Sequence, residues 1–171
     1  SYQIREQRAY DYIALGTYRK ALTDVDTLLL VGKNPAAAHE QRALICLVMG
    51  EEGDCSASID SVLSYNSQSA TAYDLHGVLA LRNGNYQAAI DAFSTAISID
   101  STFDLAYYNR AIARRYLGDA AGAMSDLNRA VALSSQIDGL YLKRALVRKE
   151  MGDVSGSVDD YTKALENTPE N

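Results

Sequence analysis

The 171-residue chain has no tryptophan and only two prolines, two cysteines, two histidines and two phenylalanines. Each scarcity excludes something. So few prolines leave helix interiors unbroken, which suits a chain that is mostly helix. Cys46 and Cys55 form no C-x-x-C pair, so they read as two ordinary thiols and leave the redox compartment open. His39 and His76 stand far apart, with no His-Glu-x-x-His, Ser-His-Asp set or nucleotide loop around them. "VGKNP" lacks the glycine spacing and the Ser or Thr of a phosphate loop. "GEEGD", Gly50 to Asp54, lacks the register of a calcium loop and reads as a solvated turn. Asp159 and Asp160 are adjacent, so on a helix they point in different directions and make no catalytic pair. The composition therefore predicts no catalysis, no cofactor and no metal. No apolar run nears the ~20 residues of a membrane helix; "ALICLVMG" is the longest candidate. Excess basic charge is missing too. A net charge of −6 argues against a nucleic-acid partner, since phosphate contacts need clustered Lys and Arg.

What is present is a pattern. Hydrophobic residues make up 47% and charged residues 22%, a globular balance. "YYNRAIARRYLGDAAGAMSDLNRAVAL", Tyr107 to Leu133, has counterparts 34 residues on either side. Gly84, Gly118 and Gly152 mark the fifteenth place of each copy. The fourth place holds Tyr73, Tyr107 and Tyr141, and the eighth Gly77, Ala111 and Ala145. The twentieth holds Ala89, Ala123 and Ser157, the twenty-fourth Phe93, Leu127 and Tyr161, and the twenty-seventh Ala96, Ala130 and Ala164. Small residues recur where two helices must approach, and large ones where a gap must be filled. Glycine at the turn accepts left-handed backbone, and the Asn or Asp after it suits a helix N-cap.

This pattern resembles the tetratricopeptide repeat, which has two antiparallel helices per 34 residues. Tyrosine stands where that family most often has tryptophan, and only Pro169 keeps the proline of the thirty-second place; Ser101 and Ser135 replace it. The resemblance covers the chain as one array of five repeats: 2–35 and 36–69, both degenerate, then 70–103, 104–137 and 138–171. In the second repeat Gly50 holds the fifteenth place, yet "CSASIDSVLSY" aligns better on Gly53. The pattern thus predicts three extra residues in that turn. The resemblance implies an all-α fold, an α-solenoid coiled as a right-handed superhelix of antiparallel helix pairs. First helices line its concave side.

The family's groove places imply a seat for a peptide-like segment of a protein partner. They fall on Leu75, Val78 and Arg82 of the third repeat, Tyr108, Asn109, Ile112 and Arg115 of the fourth, and Lys143, Leu146 and Lys149 of the fifth. Apolar residues rimmed by cations suit an acidic peptide segment. Equally, apolar residues at these places can pack against neighbouring first helices. A chaperone-type carboxylate clamp is not supported. Its five places hold Asp74, Val78, Asn109, Gly139 and Lys143, of which only Asn109 and Lys143 fit.

From Tyr107 to Lys149, eight basic residues oppose three acids, so this stretch is +5 and the remainder −11. Arg110 and Arg144 hold the seventh place, and Asp126 and Asp160 the twenty-third; both types are missing from the third repeat. That co-occurrence predicts internal pairing and leaves Arg115, Lys143 and Lys149 for a ligand. Val158, Tyr161 and Leu165 of the last helix are expected to form an apolar face. That face carries the alternative role, an interaction or self-assembly segment of a larger repeat protein, stacking through uncapped ends.

Overall fold

In the computed structural model, which describes residues 2–32, 34–134, 137 and 139–167, the helix-forming segments become ten helices. They are α1 Tyr2–Ala14, α2 Tyr18–Val31, α3 Pro35–Met49, α4 Glu52–Tyr65, α5 Ala70–Arg82, α6 Tyr86–Ile99, α7 Asp104–Tyr116, α8 Ala120–Leu133, α9 Leu140–Glu150 and α10 Val154–Asn167. No strand occurs among the described residues. No helix is long and apolar enough to cross a membrane. Pro169, which keeps the repeat's proline, lies outside the described residues.

The periodic places account for the packing. The small residues of the eighth and twentieth places are buried: Ala9, Ala43, Ala111 and Ala145, then Ala21, Cys55, Ala89, Ala123 and Ser157. So are the space-filling residues of the twenty-fourth place, Val25, Ile59, Phe93 and Leu127. Small residues let the two helices of a pair approach, and branched or aromatic chains close what remains. Tyr161, the fifth residue of that last series, is only half-buried.

The turn between the helices of each pair has one geometry. Gly16, Gly50, Gly84, Gly118 and Gly152 all take positive φ, between 67° and 84°. Asp119 and Asp153 then accept the backbone N–H of Gly122 and Gly156 at 2.8 and 2.9 Å, capping α8 and α10. The Asn85 side chain makes no such bond at α6. Open space surrounds the Gly118 Cα, so a side chain there meets no clash, only the strained backbone. Gly118→Val is expected to cost about 1 kcal/mol or more. Urea denaturation checks it; an unchanged midpoint would remove backbone conformation as the reason for glycine.

The predicted three-residue insertion in the second repeat is overturned. Second helices begin at Tyr18, Glu52, Tyr86, Ala120 and Val154, each 34 after the last. Glu51, with φ −89° and ψ 71°, matches Asn85 and Asp119 before α6 and α8. Cys55 and Val62 occupy the small places that alanine holds in the later repeats, and Gly53 offers a false landmark. Together they disguise an unbroken register.

The helices divide into two compact units, Ser1–Leu79 and Ala80–Asn171, with the border inside α5. In the first, Ala9, Ala21, Val25, Leu28, Ala38 and Ile45 form one apolar cluster. A second cluster joins Cys46, Cys55, Ile59 and Val62 to Ala72, Leu75 and Leu79 of α5. In the second unit Ala111, Leu127, Ala130, Leu140 and Val147 centre the core of α7, α8 and α9.

Candidate functional site

An arginine at the seventh place sits deep between helices, where its charge must be met. Arg110 donates through Nε and Nη2 to Asp126 at 2.9 and 2.7 Å, and Arg144 does the same to Asp160 at 2.8 and 2.7 Å. The predicted pairing of these two arginines is what the structure contains. The aspartates are nearly or fully buried, and each receives a second guanidinium, from Arg114 or Arg148. The remaining Nη1 of Arg110 donates to Ser94 Oγ at 3.0 Å, and that of Arg144 to Asn128 Oδ1 at 3.2 Å. Ser94 and Asn128 belong to the second helix of the preceding pair. Each arginine therefore ties three helices. Tyr107 and Tyr141 cover the arginines, with Arg129 and Lys163 at the same rings. The same two places pair Arg8 with Asp24 in the first repeat, at 2.7 Å from both nitrogens. These bonds hold the Asp24 carboxyl below the usual carboxylate range.

With those charges spent on structure, what remains of the expected groove can be placed. In the second unit, Ile112, Arg115 and Lys143 come together around a dimple completed by Ala111, Tyr116, Leu127 and Val147. Its interior, about 20 Å³, holds roughly one water, so it fits the tip of a side chain rather than a whole ligand. Tyr108, Asn109 and Leu146 are half-buried on α7 and α9, and Arg82 and Lys149 are exposed. Tyr86 and Tyr116 stack at 4.7 Å between centroids, 6° from parallel, adding an aromatic wall. The letters alone do not reveal this wall, because the two tyrosines are 30 residues apart, off the period.

Two expected members behave otherwise. Arg115 is not left for a ligand: its Nε donates to both carboxylate oxygens of Glu150, at 2.9 and 3.1 Å. The partner lies one residue beyond the repeat period, so no column of the pattern shows it. Leu75 is 7% exposed and packs in the first unit's core, with Val78 against the same cluster. Three residues apart on one helix face, both follow the side that faces the core. Among the described residues, Lys143 and Lys149 pair with no acid, and these two cations stand beside the dimple and on α9.

In the first unit, Cys46, Glu51 and Asp54 bring one ligand atom each within 4.8 Å of one another. Burial, with Glu51 beside it, pushes the Cys46 thiol up. The protonated thiol is a poor ligand, so this trio falls short of a metal centre. Cys46 and Cys55 are free, buried thiols, packed as small hydrophobes.

The family model described as tetratricopeptide repeat matches residues 52–102 and 75–136, about half the chain. None of the curated proteins compared with the chain matches it in sequence. Solved structures do match in fold. The pilF protein of Pseudomonas aeruginosa superposes with a TM-score of 0.87 at 15% identity, over 99% of this chain and 78% of that one. A thermophilic repeat protein of Thermus thermophilus gives 0.85 at 19%, over 100% and 93%. A tetratricopeptide repeat protein of Parabacteroides merdae gives 0.79 at 27%, over 100% and 67%.

Proposed function

Since the chain belongs to the tetratricopeptide repeat family, we propose that it is an interaction scaffold whose α7 and α9 hold a peptide-like segment of a protein partner. The family and fold support a protein–protein interaction role in general. The observation carrying the finer reading is the dimple that unites Ile112, Lys143 and Val147 across α7 and α9. Tyr108 and Leu146 flank it with apolar surface, and Lys143 and Lys149 supply uncommitted positive charge. An apolar anchor with acidic neighbours is the complementary ligand. Burial of the anchor supplies affinity, and the lysines set preference and on-rate.

Fluorescence anisotropy against synthetic peptides tests this. One peptide carries a leucine or phenylalanine between acidic residues, the other the same anchor between basic residues. The acidic peptide is expected to bind more tightly, with affinity falling as salt rises. Lys143→Glu with Lys149→Glu is expected to weaken it about tenfold or more while circular dichroism stays unchanged. Equal affinity of the charge-reversed protein for the acidic peptide would sink the reading.

One observation favours a second reading, self-association of copies through α10. Val158 is 58% and Leu165 75% exposed, whereas the matching Met124 and Val131 of α8 pack against the second unit's core. Light scattering decides it. Concentration-dependent growth abolished by Val158→Glu with Leu165→Glu supports stacking, and a constant monomer mass removes it.

A further inference from the structure

The second repeat keeps the seventh-place arginine, Arg42, but lacks the acid that meets it elsewhere. Ser58 stands where Asp24, Asp126 and Asp160 stand in the first, fourth and fifth repeats. Two more places are shortened. His39 replaces the tyrosine of the fourth place, and Ser61 replaces Arg129 and Lys163 of the twenty-sixth. A pocket of about 100 Å³ results, lined by His39, Arg42, Asp54, Ala57, Ser58 and Ser61, all in the first compact unit.

The pocket's chemistry is two-sided. Arg42 Nε and His39 Nδ1 are buried without a hydrogen-bond partner. Leaving a buried donor unmet costs free energy that an incoming acceptor would recover. Ser58 and Ser61 spend their protons on the Asp54 and Ala57 carbonyls, at 2.7 and 2.8 Å, so only their lone pairs remain to offer. Asp54 brings an exposed carboxylate from the first turn of α4. Asp26, on α2, lies 3.7 Å from an Arg42 nitrogen.

Charge balance selects the occupant. A bare anion would satisfy Arg42 but face Asp54 and Asp26. A bare cation would satisfy Asp54 and leave the Arg42 N–H unmet. The two side chains missing relative to the fourth and fifth repeats are one carboxylate and one cation, and a ligand carrying both restores the set. We propose that this pocket binds a small zwitterion, an α-amino acid of the size of glycine or alanine, its carboxylate on Arg42 and its ammonium on Asp54. The site is independent of the peptide seat on α7 and α9, which lies in the other compact unit.

The chain's two histidines make the test direct. The His39 ring lines the pocket and stacks on Tyr65 at 6.1 Å, whereas His76 is exposed on α5 and serves as control. Histidine ring resonances are followed by NMR while glycine, alanine, acetate and methylammonium are titrated separately at constant ionic strength and pH. Glycine or alanine is expected to move His39 saturably and leave His76 in place, with acetate and methylammonium about tenfold weaker or inert. Asp54→Asn is expected to remove the preference for glycine over acetate. Ser58→Asp, which supplies the carboxylate from within, is expected to abolish the response. Three results would overturn the proposal. One is no saturable movement of His39 with either amino acid up to tens of millimolar. The second is acetate alone matching glycine's midpoint. The third is an unchanged glycine response in a folded Ser58→Asp protein. The wild-type titrations stand by themselves if a variant fails to fold.

Discussion

Asp160→Ala is expected to destabilise the protein by about 3–5 kcal/mol, the cost of removing one partner from a buried ion pair. Asp160 is fully buried and accepts from Arg144 Nε and Nη2, with Arg148 Nη1 at 3.1 Å. The Arg144 side chain is 9% exposed, so it cannot turn to water when its acceptor goes. Urea denaturation followed by circular dichroism gives the total. Hydrogen exchange locates it, with the fastest opening expected in α9 and α10, because repeats lean only on their neighbours. Arg144→Met with Asp160→Leu is expected to recover most of the loss, since replacing both charges leaves none unpaired. Asp24→Ala gives the contrast. Its partners Arg5 and Arg8 are 40% and 52% exposed at the side chain, and both can rehydrate. Its loss is expected to be clearly smaller. Equal losses at Asp160 and Asp24 would refute burial as the cause.

Phe93→Ala is the second large effect, expected at about 3–5 kcal/mol. Phe93 is fully buried and heads the fully buried side chains by volume. Around it Ala89, Ala92 and Ala96 are buried as well, so small neighbours cannot slide in to fill the space. Phe93→Leu keeps more of the volume and is expected to cost markedly less. The comparison of midpoints at constant m-value checks both. If alanine and leucine cost the same, the site collapses freely and the packing argument fails.

These two residues also mark how far the sequence can be read. Phe93 is legible because its place recurs with large apolar residues every 34 positions, and only a buried place keeps that character. The Arg110 and Arg144 pairs are legible because a charge in a core column demands its counter-charge. The first repeat carries the same two letters, Arg8 and Asp24, but its other places are degenerate and hide the pair. Periodicity does not reach contacts that break it. Arg115 bonds Glu150 at a separation of 35 residues, and the Tyr86–Tyr116 stack joins two unmatched places. The second repeat misleads for a different reason. Cys55 and Val62 pack where alanine normally does, because the core there accepts a slightly larger group, and a register judged by residue type slips. Apolar groove places are ambiguous by nature: letters alone do not separate a residue facing a ligand from Leu75, which faces the core.

The three-helix arginine tie has a consequence for how such a chain can grow. Arg110 reaches 16 residues forward to Asp126 and 16 back to Ser94, and Arg144 reaches the same distances to Asp160 and Asn128. A 34-residue block thus holds a donor for the block before it and an acceptor for the block after it. Copying such a block in tandem by gene duplication creates both halves of the new bond at once, at the right spacing. The duplicate needs no compensating substitution to be joined. A deletion or insertion of any other length separates donor from acceptor and strands a buried guanidinium. Length change in whole blocks is therefore the chemically neutral path. Once a duplicate exists, the place facing Arg42 can lose its acid, as Ser58 records, because the preceding helix still offers Asp26.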